Sequence, residues 1–175
     1  MQRIEGSIVI HRRVEEVFDF VADERNEPQY NPEMRHVEQL TRGSIQRGTR
    51  FHARMSRGAE LDWEIVAYER PHRLEGGGHV TVRLFRPTRT MEIHGALTFE
   101  RVPEGTRMRW SWELEPWGFF RLLAPLVNQI GVRQEHRIWS SLKLLLESQP
   151  TYAPRRWTTW FRLRGRSGYA SRPSR

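Results

Sequence analysis

Apolar and polar side chains alternate with a period of two over most of the chain between residues 34 and 115. This period is typical of strands in a sheet with one buried and one solvated face. It predicts strands over 34–41, 49–57, 61–67, 91–100 and 106–114. A first strand is predicted over 4–10, where Ile8 and Ile10 share one face. Glycine or proline stands between most of these segments, as expected for antiparallel hairpins. Residues 73–86 contain three consecutive glycines at 76–78 and end before Pro87, so we expect only a short strand or a flexible edge there.

The alternation also assigns each side chain to a face of the predicted sheet. The dry face is rich in aromatic residues and methionine: Phe51, Met55, Trp63, Ile65, Met91, Ile93, Leu97, Phe99, Met108, Trp110 and Trp112. The wet face carries charges of both signs and, by parity, Tyr68. The sheet is therefore predicted to be one-sided, with a buried face that needs a cover.

The sequence predicts two helices, one between the first and second strands and one after the last strand. Residues 13–22 place Val14, Val17, Phe18 and Val21 at helical spacing and predict a short helix, followed by a polar loop over 23–32 with at most one helical turn. Residues 118–148 predict a long helix, kinked or restarted near Pro125. Its inward stripe is expected to run Phe120, Leu123, Val127, Gly131, Gln134 and Ile138, with Leu142 and Leu145 beyond.

The predicted fold class is therefore α+β, with a long C-terminal helix laid on an antiparallel sheet. Gly131 removes volume in the middle of the inward stripe. Gln134 would place an amide at a dry surface, where it either orients a ligand or bonds a strand residue. Phe119, Leu122, Leu126 and Ile130 form a second apolar stripe, which a second copy of the chain, a membrane surface or the tail would have to cover.

The net charge of +8 belongs to the end of the chain. Residues 150–175 contain seven arginines and no acid, which leaves a net charge of about +1 on residues 1–149. We therefore predict a globular domain over 1–149 and a basic aromatic tail over 150–175. The tail residues Arg155, Arg156, Trp157, Trp160 and Phe161 form a pattern that would bind an anionic membrane or a partner, although a disordered or folded-back tail is also open. A nucleic-acid-binding body is not indicated.

Catalytic and metal-binding patterns are weak. The chain has no cysteine, no secretory signal and no long apolar run, so a soluble cytoplasmic protein is expected. The seven histidines lack metal-ligand spacing, and neither a metal nor a cofactor is predicted. Tyr30 stands in the loop expected at the mouth of any cavity, where it either donates a hydrogen bond to a ligand carbonyl or packs on the helix as a lid residue.

Four stretches in a characteristic order resemble the START-like helix-grip superfamily (SRPBCC), and within it the polyketide cyclase/dehydrase and lipid-transport group. They are VEEVFDFVADERNEPQYNP (14–32), YERPHRL (68–74), EGTRMRW (104–110) and RLLAPLVNQ…SLKLLLE (121–147). The resemblance implies a seven-stranded antiparallel sheet gripping the C-terminal helix, two short helices after the first strand, and a hydrophobic cavity between sheet and helix. It implies no shared catalytic residues.

Three functions remain open at this point. The first is binding of a hydrophobic small molecule, such as a lipid, quinone or polyketide, in a cavity between sheet and helix. Its predicted lining is Tyr30, the dry-face residues named above except Leu97, and Phe120, Leu123, Val127, Gly131 and Gln134 of the helix. The second is a polyketide-type cyclase, aromatase or dehydrase that uses the same cavity, with Tyr30 and Gln134 as the polar groups. The third is a membrane-surface or protein-interaction module acting through the tail. Two or more ionisable groups converging on the cavity would favour the enzyme.

Overall fold

A computed structural model describes residues 2–82, 89–114 and 124–149. Its helices and strands follow the chain in this order: β1 (Gln2–Ile10), α1 (Val14–Ala22), a 3₁₀ helix (Glu24–Gln29), β2 (Met34–Gln39), β3 (Arg50–Met55), a 3₁₀ turn (Ser56–Gly58), β4 (Ala59–Glu69), β5 (Arg73–Val82), β6 (Arg89–Val102), β7 (Gly105–Leu114) and α2 (Ala124–Ser148). No helix in these described ranges is long and apolar enough to cross a membrane.

The seven strands form one antiparallel sheet in the order β1-β7-β6-β5-β4-β3-β2. Strands β2 to β7 follow one another as neighbours, whereas β1 pairs with β7 at the far edge. Helix α1 and the 3₁₀ helix carry the chain from one edge strand to the other. The predicted class, a seven-stranded sheet with a long C-terminal helix and two short helices after the first strand, is confirmed.

The prediction for residues 73–86 was wrong. Strand β5 extends over ten residues and lies inside the sheet, bonded to β4 on one side and β6 on the other. The three glycines do not interrupt it, because each continues the ladder in extended conformation. The polar loop over 23–32 was also underestimated, since it contains a six-residue 3₁₀ helix.

A bulge in β4 reverses the face assignment of Tyr68. The pairing of β4 with β5 shifts between Ile65 and Ala67, so the parity of the strand changes there. Tyr68 consequently faces inward, where its ring centroid lies 5.2 Å from that of Phe18 in an edge-to-face contact. A period of two predicts faces correctly only up to such an insertion.

Helix α2 packs on the sheet through Ile138, Trp139, Leu142 and Leu146. Leu145, predicted to lie on this stripe, is only half-buried, because the true stripe is rotated by about one residue. The end of α2 is tied to the end of β1: Arg12 Nε donates to the carbonyl oxygen of Leu146 at 2.7 Å. The predicted start of the helix at Gly118 and its first inward residues lie outside the described residues.

Candidate functional site

A cavity of about 360 Å³ lies between the inner face of the sheet and α2, next to the 3₁₀ helix. Its walls come from three sources. The strands contribute apolar side chains almost exclusively, the 3₁₀ helix region contributes acids, a tyrosine and an asparagine, and α2 contributes a mixed set. The sheet contributes Ile4, Met34, Met55, Leu61, Trp63, Val80, Met91, Ile93, Leu97 and Trp112, and α2 contributes Gly131, Gln134, Glu135, Ile138 and Trp139. The remaining lining residues are Val21 of α1 and Glu24, Glu27, Tyr30, Asn31 and Glu33 from the 3₁₀ helix and the residues after it.

A larger groove of about 790 Å³ runs between residues 11–16 and 101–105. It lies on the surface and is lined by His11, Arg12, Arg13 and other charged side chains. A ligand there would remain largely in water, so the less open and more apolar cavity under α2 is the better candidate for a binding site.

Two tryptophans form the sheet wall of the cavity, and each lies over a glycine of a neighbouring strand. A β-carbon at Gly76 would lie 2.1 Å from Cζ2 of Trp63, and one at Gly95 would lie 1.8 Å from Cζ3 of Trp112. Gly76 and Gly95 are paired across β5 and β6, so they form a continuous floor. Over this floor the two indoles meet edge-to-face, with ring centroids 6.2 Å apart.

The sequence did not reveal the role of these glycines. Flexibility was the expected reason for residues 76–78, whereas the structure shows close approach of an aromatic ring at Gly76. The sequence does contain a signal for this contact. A tryptophan on one predicted strand near a glycine on the neighbouring strand indicates close approach of the ring to the backbone.

Glu135 of α2 connects the helix to the tryptophan wall. Its Oε2 accepts hydrogen bonds from Nε1 of Trp112 and from Nε1 of Trp139, both at 2.8 Å. Burial raises the pKa of Glu135, the nearby charge of Glu27 adds to this, and the two indole N–H donors act in the opposite direction. Sequence reasoning missed Glu135 because the inward stripe was placed at Gln134, although Trp139 follows Glu135 at i+4.

Glu24 and Glu27 form a hydrogen-bonded carboxyl pair on the 3₁₀ helix. Burial raises the pKa of Glu24 well above its usual value, and the charges of Glu27 and Asp23 raise it further. Burial also raises the pKa of Glu27, against the hydrogen bonds from Asn31 and Glu24. Asn31 Nδ2 donates to Glu27 Oε1 at 2.8 Å.

Tyr30 is 5% exposed and packs between two aromatic rings. Its ring centroid lies 6.0 Å from that of Trp139 and 6.2 Å from that of Phe20. Burial raises its pKa well above the usual value, followed by the charges of Glu27, Glu24 and Glu135. No side-chain hydrogen bond joins the Tyr30 hydroxyl to another described residue, and Tyr30 lines the cavity together with these acids.

The family model for "Polyketide cyclase / dehydrase and lipid transport" matches residues 1–137. The chain belongs to this family. No curated protein sequence matches the chain. The family assignment therefore rests on the family model and agrees with the fold.

Solved structures with the same fold have little sequence identity to this family member. A START superfamily protein from Mycobacterium smegmatis superimposes with a TM-score of 0.62 at 11% identity, covering 84% of this chain and 98% of its own. A protein from Mesorhizobium loti gives 0.64 at 14% identity, covering 85% and 99%. A conserved protein from Geobacillus kaustophilus gives 0.65 at 11% identity, covering 83% and 95%. At these identities the likeness concerns the fold.

The residues predicted to line the cavity of this family member fall into three groups. At the cavity wall lie Tyr30, Met55, Trp63, Met91, Ile93, Trp112, Gly131 and Gln134. In the filled core behind the wall lie Phe51, Ile65, Phe99, Met108 and Trp110. Phe120 and Leu123 lie outside the described residues, as does the side chain of Val127, and the tail residues Arg155, Arg156, Trp157, Trp160 and Phe161 lie outside as well.

Two of the predicted helix residues serve the cavity differently than expected. A β-carbon at Gly131 would lie 2.5 Å from Cδ1 of Ile4, so this glycine lets α2 approach β1 closely. Gln134 is exposed and lies at the rim of the cavity. The inward polar group of this part of the helix is Glu135.

No cluster of three potential metal-ligating side chains occurs among the described residues. The closest histidine–carboxylate pair, His52 Nδ1 and Asp62 Oδ1 at 2.8 Å, lies on the outer face of the sheet, away from the cavity.

Proposed function

We propose that this family member binds a hydrophobic small molecule in the cavity between the sheet and α2. The single observation that carries this proposal is the cavity of about 360 Å³ with a wall of tryptophan, methionine and branched side chains. This volume falls in the range of pre-formed small-molecule sites, about 300–1,000 Å³. The methionines adapt to ligands of different outline, because their side chains are flexible and polarisable.

The position of the cavity relative to the rest of the core supports the proposal. Ile65 and Met108 are fully buried and pack on the sheet behind the cavity. The domain therefore has a close-packed core although the cavity is not filled by side chains. Lipids and polyketides, the two ligand classes that the family description names, are both largely apolar.

Native mass spectrometry of the full chain purified from its own host tests the proposal directly, since a ligand held in the cavity co-purifies with the protein. The variant Ile93→Trp fills the cavity from β6 and should lose the ligand. Val66→Trp adds a bulky ring on the exposed outer face of β4 and should retain it. Equal retention by both variants would place the ligand elsewhere and reject the proposed site.

A second candidate function is proton-transfer catalysis on a carbonyl compound, of the cyclase or dehydrase type. The specific observation in its favour is the carboxyl pair Glu24–Glu27 beside the Tyr30 hydroxyl. In a dehydration, Glu27 would accept the proton from the carbon next to the carbonyl, and Tyr30 would donate a hydrogen bond to the carbonyl oxygen. Glu24 would protonate the leaving hydroxyl, so that a C–H and a C–O bond break, a C=C bond forms and water leaves.

A β-hydroxy aryl ketone, whose dehydration gives an enone absorbing in the near ultraviolet, tests this activity. Glu27→Gln should lower the rate by about a hundredfold or more, the usual contribution of a positioned general base. Glu64→Gln removes one carboxylate from the outer face of β4 and should leave the rate unchanged. A rate no faster than in buffer for the wild-type chain would leave binding as the function.

A further inference from the structure

We propose that the cavity is built for an apolar ligand that carries a cationic amine, and that it discriminates against apolar carboxylates. This inference rests on the proposed binding function and specifies the ligand class. Its basis is the distribution of charge in the cavity, which is opposite in sign to that of the whole chain.

The cavity is acidic although the protein is basic. The chain carries a net charge of +8, yet none of the described residues that line the cavity is lysine, arginine or histidine. Four of those lining residues are glutamates: Glu24, Glu27, Glu33 and Glu135. These four side chains are partly exposed, and with no basic residue in the described lining they favour a cationic group of a ligand.

The acids converge from two elements on one end of the cavity. Glu24 and Glu27 belong to the 3₁₀ helix, and Glu135 faces them from α2, close enough that the charge of Glu27 raises the pKa of Glu135. Glu24 and Glu27 are hydrogen-bonded to each other, and burial raises the pKa of both. Glu135 is held by two indole N–H donors, which stabilise its anionic form.

Tyr30 supplies an independent indication that a polar ligand group belongs at this end. Tyr30 is only 5% exposed, and its hydroxyl has no side-chain hydrogen bond to any described residue. Tyr30 lines the cavity together with the glutamates, so its hydroxyl oxygen can accept a hydrogen bond from an ammonium group.

The tryptophan wall, which Trp112 joins to Glu135 through its indole N–H, fits the apolar part of such a ligand. The indoles of Trp63 and Trp112 stand edge-to-face over the glycine floor, which offers a ring face to a planar group or a nearby cation. An amine with a flat aromatic body therefore has a partner for each of its two parts.

Isothermal titration calorimetry with three shape-matched probes tests the inference on the full chain at neutral pH and low salt. The probes are naphthylmethylamine, naphthylmethanol and naphthoate, which are cationic, neutral and anionic. We expect the amine to bind about tenfold more tightly than the alcohol, the ratio given by a partly screened charge interaction, and naphthoate to bind more weakly than the alcohol.

Two variants and one control assign the preference to the cavity. Glu135→Gln keeps an oxygen for the two indole donors, Glu27→Gln acts on the other element, and each should reduce the advantage of the amine over the alcohol. Glu64→Gln makes the same charge change on the outer face and should not reduce it. Near-ultraviolet circular dichroism of each variant shows whether the tryptophan wall is intact.

The outcomes separate this inference from the binding function. If the alcohol binds as tightly as the amine, or if naphthoate binds most tightly, the cavity binds ligands but the inference on charge is overturned. An amine preference that persists in both glutamine variants overturns it as well, because the attraction then lies outside the cavity. If none of the three probes binds, the binding function itself is rejected for planar hydrophobes, and the inference is rejected with it.

Discussion

Glycine and tryptophan occupy complementary space at three places in the sheet. The pairs are Gly76 with Trp63, Gly95 with Trp112, and Gly6 with Trp110, whose Cζ2 would lie 2.2 Å from a β-carbon on Gly6. Each indole lies against the backbone of a neighbouring strand, which a side chain at the glycine position would prevent. The glycines are therefore required by packing, since none of these three has a positive φ angle.

Gly76→Ala should lower the free energy of unfolding by about 1–3 kcal/mol, because the added methyl group overpacks the Trp63 ring. Gly77→Ala is the matched control. It makes the same change one residue later on the outer face, where the neighbouring atom is Nδ1 of the exposed His94 and can move. Urea denaturation of both variants measures the difference, and equal losses would contradict the packing role of Gly76.

The carboxyl groups and Tyr30 show where single-sequence reasoning stops. Tyr30 was singled out as either a hydrogen-bond donor or a lid residue, and the structure places its ring against Trp139 while its hydroxyl lines the cavity. Glu24, Glu27 and Glu135 were not among the residues predicted to line the cavity. A polar residue inside an amphipathic helix can be assigned to a wall only when the rotation of the helix is known.

Periodicity predicted whole elements better than their orientation. The period of two gave six of the strands, and the pattern at Val14, Val17, Phe18 and Val21 gave α1. It did not predict the bulge after Ile65, because an inserted residue has no signature in the hydrophobic pattern. On α2 an offset of one residue exchanged Gln134 for Glu135, which changes the chemistry of the cavity from an amide to a carboxylate.

The last turn of α2 is held to the end of β1 by Arg12. Its guanidinium donates to the carbonyl oxygens of Leu146 and Gln149, two acceptors that have no partner within the helix. The amide of His11 donates to Glu147 Oε1 at 2.8 Å and reinforces the same junction. This contact fixes the far end of the helix that covers the cavity.

Arg12→Met should destabilise the domain by about 1.5–3 kcal/mol, the usual contribution of hydrogen bonds to a charged group. It should also speed hydrogen exchange in the last turn of α2. Arg13→Met is the control, because Arg13 is exposed and its ion pairs are with Glu15 and Glu16 of α1 rather than with α2. Unchanged exchange in the last turn of the Arg12→Met variant would show that the helix is anchored elsewhere.

The acidic cavity makes the stability of the whole domain depend on pH. The pKa values of Glu24, Glu27 and Glu135 are all raised in the folded protein, first of all by burial. Above about pH 4.3, the ordinary value for glutamate, the folded state therefore binds more protons than the unfolded state. Its stability falls as the pH rises through this window, by linkage.

Glu24→Gln should accordingly stabilise the protein at about pH 7 and flatten the decline between about pH 5 and about pH 7. Urea denaturation at the two pH values measures both effects. The substitution leaves the remaining titratable residues of the described cavity lining unchanged, namely Glu27, Tyr30, Glu33 and Glu135. Glu64→Gln on the outer face should show the same pH dependence as the wild type, and a Glu24→Gln curve parallel to it would contradict the account.

The tail over 150–175 remains a prediction for the chain as a whole. Its arginines and aromatic residues, among them Arg155, Trp157 and Trp160, should bind vesicles that contain anionic lipid. Co-sedimentation of the full chain and of a chain ending at Ser148 measures this, with neutral vesicles as the control. Equal sedimentation of the two chains would end the proposal.

The glycine floor has a consequence for how members of this family diverge. Since a β-carbon at position 76 and an indole at position 63 compete for one volume, and positions 95 and 112 do so as well, each pair should change together among related sequences. A larger residue at position 76 with a smaller ring at position 63 would alter the depth of the cavity and leave the glutamates in place. The same exchange at positions 95 and 112 would also remove an indole donor from Glu135, so depth and acidity are coupled at this second pair.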